Sequence, residues 1–304
     1  MSVPQPVPPS WKDLGKSSLD LLGKDFPIGN TFLEVKTTTP SNVVFKVAGH
    51  KPTEGAIVGN VEAKYTDRKH GVTFTQGWNN ANTLLTNVEL DNQIVNGLKI
   101  DLNASLHPQS AHSHDAEKAA KEVVKNATLT STYKMPGLHT RAALNVFKGP
   151  TFTADAVFGH DGFLLGTEAT YNVSTGAITK YAAGVGFSAP EYAVTLLAGE
   201  SFTRYSASYY HRVSRDVEAG GQAIFDTHRS SDGVKIEVGT KAYLDSAAFI
   251  KAKMSNAGVL SLGYTQALRP GVKAAFGLAL DTQKLSGSHA VAAHKVGASF
   301  TFEG

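Results

Sequence analysis

Apolar side chains recur at every second position of this chain, segment after segment, and no apolar stretch of about 18 residues, the length a spanning helix needs, interrupts them. At the C-terminal end Val296, Ala298, Phe300 and Phe302 alternate with Lys295, Gly297, Ser299 and Thr301. Successive side chains of a β-strand point to opposite faces, so this segment is a strand with one oily face and one wet face. The same period runs through residues 98–106 and 272–280. A sheet that is greasy along one whole face has to cover it. A second sheet does so in a soluble sandwich, and lipid does so around a closed barrel in a bilayer.

Composition alone favours the sandwich. The chain of 304 residues is 41% hydrophobic and only 18% charged, and its mean hydropathy is −0.15. That excludes a helical membrane protein but not a barrel, half of whose strand residues are polar. Zero Cys excludes a disulfide scaffold and a thiol nucleophile. The net charge of +3 is too mild for a nucleic-acid binder, so no nucleic-acid partner is expected. Inside a lumen, however, a small basic excess biases toward anions. Residues 1–10 carry four Pro and no basic residue, so no cleavable signal peptide is visible. The expectation is import after synthesis in a eukaryotic cytosol.

Residues 1–29 form an N-terminal segment. After a Pro-rich start, Ser10 is placed to cap a short helix, with Trp11, Leu14, Ser18, Leu21 and Leu22 on one flank. Asp13, Lys16, Asp20 and Lys24 form the other flank, and Gly23 and Pro27 end the helix. So short a helix needs something to lie against. From residue 30 to 304 the pattern is strand after strand, punctuated by turns such as Met135-Pro136-Gly137 and Arg269-Pro270-Gly271. Counting gives about nineteen strands of roughly ten residues, each able to climb about 25 Å. Residues 112–126 break the rhythm and read as an inserted loop between strands six and seven, at the mouth where strand one begins.

No motif supports catalysis. Gly15-Lys16-Ser17 lacks the first Gly of a phosphate loop, since position 10 is Ser. His107, His112 and His114 offer no third ligand on a regular element, so neither metal nor cofactor is expected. No nucleophile elbow or zinc-protease helix occurs, and an enzyme is the least supported class. Gln76 falls on the apolar face of residues 72–78, where a buried amide needs a partner.

Charges on the wet face are the candidate functional set. They are Lys36, Lys46, Lys64, Lys99, Arg141, Lys180, Arg204, Lys235, Lys241, Lys251, Lys253, Lys273 and Lys295, with Glu34, Glu62, Asp101 and Glu237. Thirteen of these seventeen are basic. On a soluble sheet they are a solvated face; inside a closed barrel they line a pore.

Four stretches carry a resemblance to a known family. They are residues 13–17, residues 71–78 with Asn82-Thr83-Leu84, the triplet Gly97-Leu98-Lys99, and residues 260–273, with His294-Lys295 opening the last strand. Together they resemble the mitochondrial voltage-dependent anion channels, the eukaryotic porin family, in a fungal-like form. Two positions depart: Ala242 stands where the family signature opens with Tyr or His, and Gln76 where animal members carry a lipid-facing Glu.

The resemblance implies an all-β, up-and-down transmembrane barrel of about nineteen strands with the N-terminal helix in its lumen. Nineteen is the strand number this family is known for, so count and resemblance are not independent. It also implies a multi-pass barrel of the mitochondrial outer membrane that passes chloride, phosphate, ATP, ADP and carboxylates under voltage control. Asp13, Lys16, Asp20 and Lys24 are then the gating helix. Lys36, Lys46, Lys64, Lys99, Arg141, Lys235, Lys241, Lys251, Lys253, Lys273 and Lys295 are the pore lining. Its partners are the lipid bilayer and permeating anions and adenine nucleotides, with room for a homo-oligomer and for cytosolic kinases or other docking proteins. A protein-import pore of the same architecture stays open beside it, as does a soluble β-protein.

Overall fold

The structure is a computed structural model that describes residues 6–53, 55–107, 125–147, 149–284 and 293–304. After a 3-10 turn (Trp11–Asp13) and one helix, α1 (Lys16–Gly23), come nineteen strands. The first seven are β1 (Asn30–Thr38), β2 (Val43–Pro52), β3 (Val58–Asp67), β4 (Val72–Asn79), β5 (Leu84–Asp91), β6 (Leu98–Leu106) and β7 (Lys125–Met135). Then follow β8 (Leu138–Asn145), β9 (Thr151–His160), β10 (Phe163–Asn172), β11 (Ala177–Ser188), β12 (Tyr192–Gly199) and β13 (Arg204–Arg212). The last six are β14 (Val217–Asp226), β15 (Lys235–Tyr243), β16 (Ala248–Ser255), β17 (Val259–Arg269), β18 (Val272–Asp281) and β19 (His294–Glu303).

Each strand pairs antiparallel with the next, and β1 closes the ring on β19 in parallel, Leu33 opposite Phe300 and Val35 opposite Phe302. An odd number of up-and-down strands brings the first and last together pointing the same way. Closure leaves no free edge, which a sheet in hydrocarbon requires.

Register then assigns every strand residue to one of two faces. Leu33, Val35, Phe45, Val47, Val61, Phe74 and Trp78 share the outer face and are all exposed. Pairs of aromatic rings sit near both ends of the outer wall. Phe163 and Phe187 meet edge-on at 4.9 Å beside Tyr192, and Tyr181 meets Phe202 at 5.0 Å at the opposite end. Aromatic girdles of this kind mark the two membrane–water interfaces. Gln76 does face outward among them, and its amide is satisfied on the spot: Nε2 donates to Leu85 O at 3.2 Å and Oε1 accepts from the Thr86 hydroxyl at 3.2 Å.

The expected single helix is split. Gly15 takes a left-handed φ of 74° between the 3-10 turn and α1, and a Cβ there would sit 2.7 Å from Ser208 Oγ. The Ser10 hydroxyl caps no backbone amide; it donates to the Asp13 carboxylate at 2.6 Å. β6 ends and β7 starts at the mouth where β1 begins, and Lys125 and Asn126 belong to β7 rather than to the loop. Residues 112–124, with His112 and His114, fall outside the described residues.

Candidate pore lining

The N-terminal segment runs inside the barrel, laid crosswise over the inner wall. His139 Nδ1 donates to Pro8 O at 3.1 Å, holding one end to β8. Trp11 lies over Gly166 and Gly184, Leu21 over Gly220, Leu22 over Gly239, the Asp25 carbonyl and Phe26 ring over Gly263, and Pro27 over Gly277 and Gly297. A Cβ on any of these glycines would come within 3.3 Å of the segment. A track of glycines across seven strands is therefore what lets the segment lie flat against the wall. Leu14, Ser18, Leu21 and Leu22 are buried against it, and the Ser18 hydroxyl donates to Gly221 O at 3.0 Å.

Asp13, Lys16, Asp20 and Lys24 stand on the opposite flank, and they satisfy one another. Lys16 pairs with Asp13 at 2.6 Å and Lys24 with Asp20 at 2.7 Å. The Lys16 ammonium, and after it the Ser10 hydroxyl, hold the Asp13 carboxyl below the ordinary carboxylate value, and Asp13 in turn raises Lys16. Lys12, Lys16 and Lys24 balance Asp13, Asp20 and Asp25, so residues 6–29 carry no net side-chain charge.

All seventeen charged residues singled out in the sequence stand on the inner face, but they have company. Register adds Glu89, Asp91, Asp155, Glu168, Glu218, Asp226, Asp281 and Glu303 to that face, against only Lys134 and Arg212. The excess among the described strands is fifteen basic over twelve acidic, far less than thirteen over four. Ion pairs cross the wall accordingly. Lys46 meets Glu34 at 2.9 Å, Lys99 meets Glu89 at 3.0 Å, Arg141 meets Asp155 at 2.7 Å, and Lys253 meets Glu237 at 3.8 Å. Lys36 meets Glu303 across the parallel seam, and Lys273 meets Asp25 of the segment. Most of the missed carboxylates sit at strand ends or next to small residues, where alternation is weakest; Glu89, between Val88 and Leu90, was legible from alternation.

Lys251 needs a correction. It points inward, yet it is 3% exposed because the segment covers it. It belongs to the seat of the helix, not to the surface a permeating ion meets.

The eukaryotic porin profile matches residues 7–297. This chain belongs to the eukaryotic porin family. A mitochondrial outer membrane protein porin of Neurospora crassa is 40% identical over 97% of this porin and 99% of the relative. A Saccharomyces cerevisiae relative named non-selective voltage-gated ion channel 1 is 33% identical over 97% and 99%. A Drosophila melanogaster voltage-dependent anion-selective channel is 30% identical over 98% and 99%. The porin is thus a channel-forming, multi-pass β-barrel of the mitochondrial outer membrane, in a family of channels rather than enzymes.

Proposed function

We propose that this porin is a voltage-gated, weakly anion-selective diffusion channel for small ions and metabolites, among them chloride, phosphate, adenine nucleotides and carboxylates. Size supports the range of solutes. Nineteen strands about 4.8 Å apart and tilted by about 40° close into a cylinder roughly 38 Å across between backbones. Side chains and a segment about 10 Å thick leave a bore on the order of 15 Å, wide enough for a hydrated nucleotide.

The observation that carries the selectivity is where the small excess lies. Closure of β19 on β1 makes one continuous wall from β15 to β3, holding Lys235, Lys241, Lys253, Lys273, Lys295, Lys36, Lys46 and Lys64. Glu237, Asp281, Glu303, Glu34 and Glu62 share it. From β5 to β10, acidic residues outnumber basic ones. Anions are favoured along one side of a nearly neutral bore, which gives preference rather than exclusion.

Voltage dependence follows from the same inventory. Moving one charge through 100 mV is worth about 2.3 kcal/mol, so steep gating needs several charges to move. The segment, self-neutralised, supplies none alone, so wall lysines have to move or change partners with it. In planar bilayers under a salt gradient, Lys46→Glu, Lys64→Glu and Lys253→Glu together are expected to turn the reversal potential toward cations. An unchanged reversal potential would overturn the assignment of these residues to the ion path.

A further inference from the structure

Lys251 is the one basic residue of the β15–β3 wall that is withdrawn from the bore, and its ammonium is spent on the segment's backbone. Nζ donates to Asp20 O at 3.0 Å and to Lys24 O at 2.7 Å, and it stands 5.1 Å from the centre of the Phe26 ring. These acceptors lie in the last turn of α1, where the helix dipole is negative: Lys24 O has no helical partner left, and Asp20 O also accepts from the Lys24 amide at 3.1 Å. An ammonium has three donors in all, and here two close on carbonyls while the remainder faces an aromatic ring. Its neighbours in register are Lys241 on β15 and Gly263 on β17, and Gly263 leaves room for the segment's turn at Asp25.

We infer that Lys251 is a latch: a positioning residue that fastens the C-terminal end of α1 to the wall and takes no part in ion selection. The side chain fits this role and no other that its position allows. It is buried, its partners are main-chain oxygens that substitution elsewhere in the segment leaves in place, and its charge meets the helix end that attracts a cation. Lys253, two residues along the same strand, is the natural contrast. It is inward too, but its ammonium reaches Glu237 at 3.8 Å and its side chain remains 22% exposed to the lumen.

Absence of Cys from the chain allows a clean test on the full-length porin. Ser18→Cys is nearly isosteric and places a thiol where the segment is buried against Gly221. With Lys251 intact, labelling by a small water-soluble maleimide is expected to be slow. Lys251→Met should speed it about tenfold or more, equivalent to about 1.4 kcal/mol of lost anchoring. Lys251→Arg, which still donates to both carbonyls, should restore slow labelling. Lys251→Met should also leave the reversal potential in a salt gradient unchanged, whereas Lys253→Met moves it toward cations. Equal labelling rates with Lys and Met at 251, or a shift in reversal potential as large as that of Lys253→Met, would overturn the latch. Should Lys251→Met fail to refold, Lys251→Gln, which keeps fewer donors, is expected to give an intermediate rate, and a rate equal to the parent's would overturn it too. The reversal-potential arm rests on the proposed selectivity: faster labelling of Lys251→Met together with an unmoved reversal potential for Lys253→Met would count against that selectivity and leave the latch standing.

Discussion

Asp13 and Lys16 show how much a single pair fixes locally. The Asp13 carboxyl titrates below its ordinary 3.8 because Lys16 and then Ser10 hydrogen-bond to it. A carboxyl lowered by folding stabilises above its unfolded value, and that contribution is lost as pH falls through the folded one. Lys16, raised by the same partner, stabilises below its unfolded 10.5 and loses this as pH rises through its higher folded value. The pair therefore holds from about pH 4 to about pH 10 and lets go outside that window. Trp11, seated beside it on Gly166 and Gly184, is one of two tryptophans and reports the change. In a Trp78→Phe background, Trp11 emission is expected to shift as pH drops below about 4. With Asp13→Asn added, it should be shifted already at neutral pH, with no further acid transition. The pairing was legible at i, i+3 spacing; that the Ser10 hydroxyl donates to the same carboxylate instead of capping the helix was not.

At the scale of elements, period-two alternation assigned faces well because one face meets lipid and tolerates few exceptions. Ala142 and Ala143 on β8 test this most sharply, since alternation cannot say which of two alanines faces where. Register puts Ala142 opposite Ala154 on the outer face and Ala143 opposite Thr153 on the inner one. Ala142→Arg is expected to cost about 2–4 kcal/mol, as a charge does at mid-membrane, and to abolish insertion. Ala143→Arg should fold, insert and push the channel toward anions. Refolding yield in detergent and reversal potential decide both, and equal tolerance at the two positions would mean the register is wrong. The helix was legible as an amphipathic stretch, but its break was not. Gly15 bends because Thr195 and Ser208 of the wall approach there, which no local signal announces.

The whole molecule decides selectivity. Seven of the thirteen lumenal cations counted from the sequence, Lys36, Lys46, Lys99, Arg141, Arg204, Lys253 and Lys273, pair with a carboxylate, and the net excess is small. Screening at about 3 Å in 1 M salt, against about 10 Å in 0.1 M, should then erase most of the preference. Under a fixed tenfold salt gradient, the reversal potential is expected to shrink toward zero as total salt rises. A preference that persisted at molar salt would require a discrete anion site instead of a diffuse field. The same closure that sets β19 beside β1 also sets acidic strands β5–β10 across from the basic wall, so the field is lopsided rather than uniform.

Alternation over some nineteen segments, the absence of a spanning helix and an N-terminal stretch with one apolar flank determined an all-β chain, its two faces and the need for a helix seat, while the barrel rather than a sandwich came from the resemblance. Those are local properties: each strand carries its own face in its own period. Which carboxylates share the lumen, which glycines form the track, and that Lys251 is buried beneath the helix depend on distant residues meeting, Lys251 with Asp20 at 231 positions and Lys36 with Glu303 at 267. Charge balance and seating are sums over such meetings, and only the register of a closed ring fixes them.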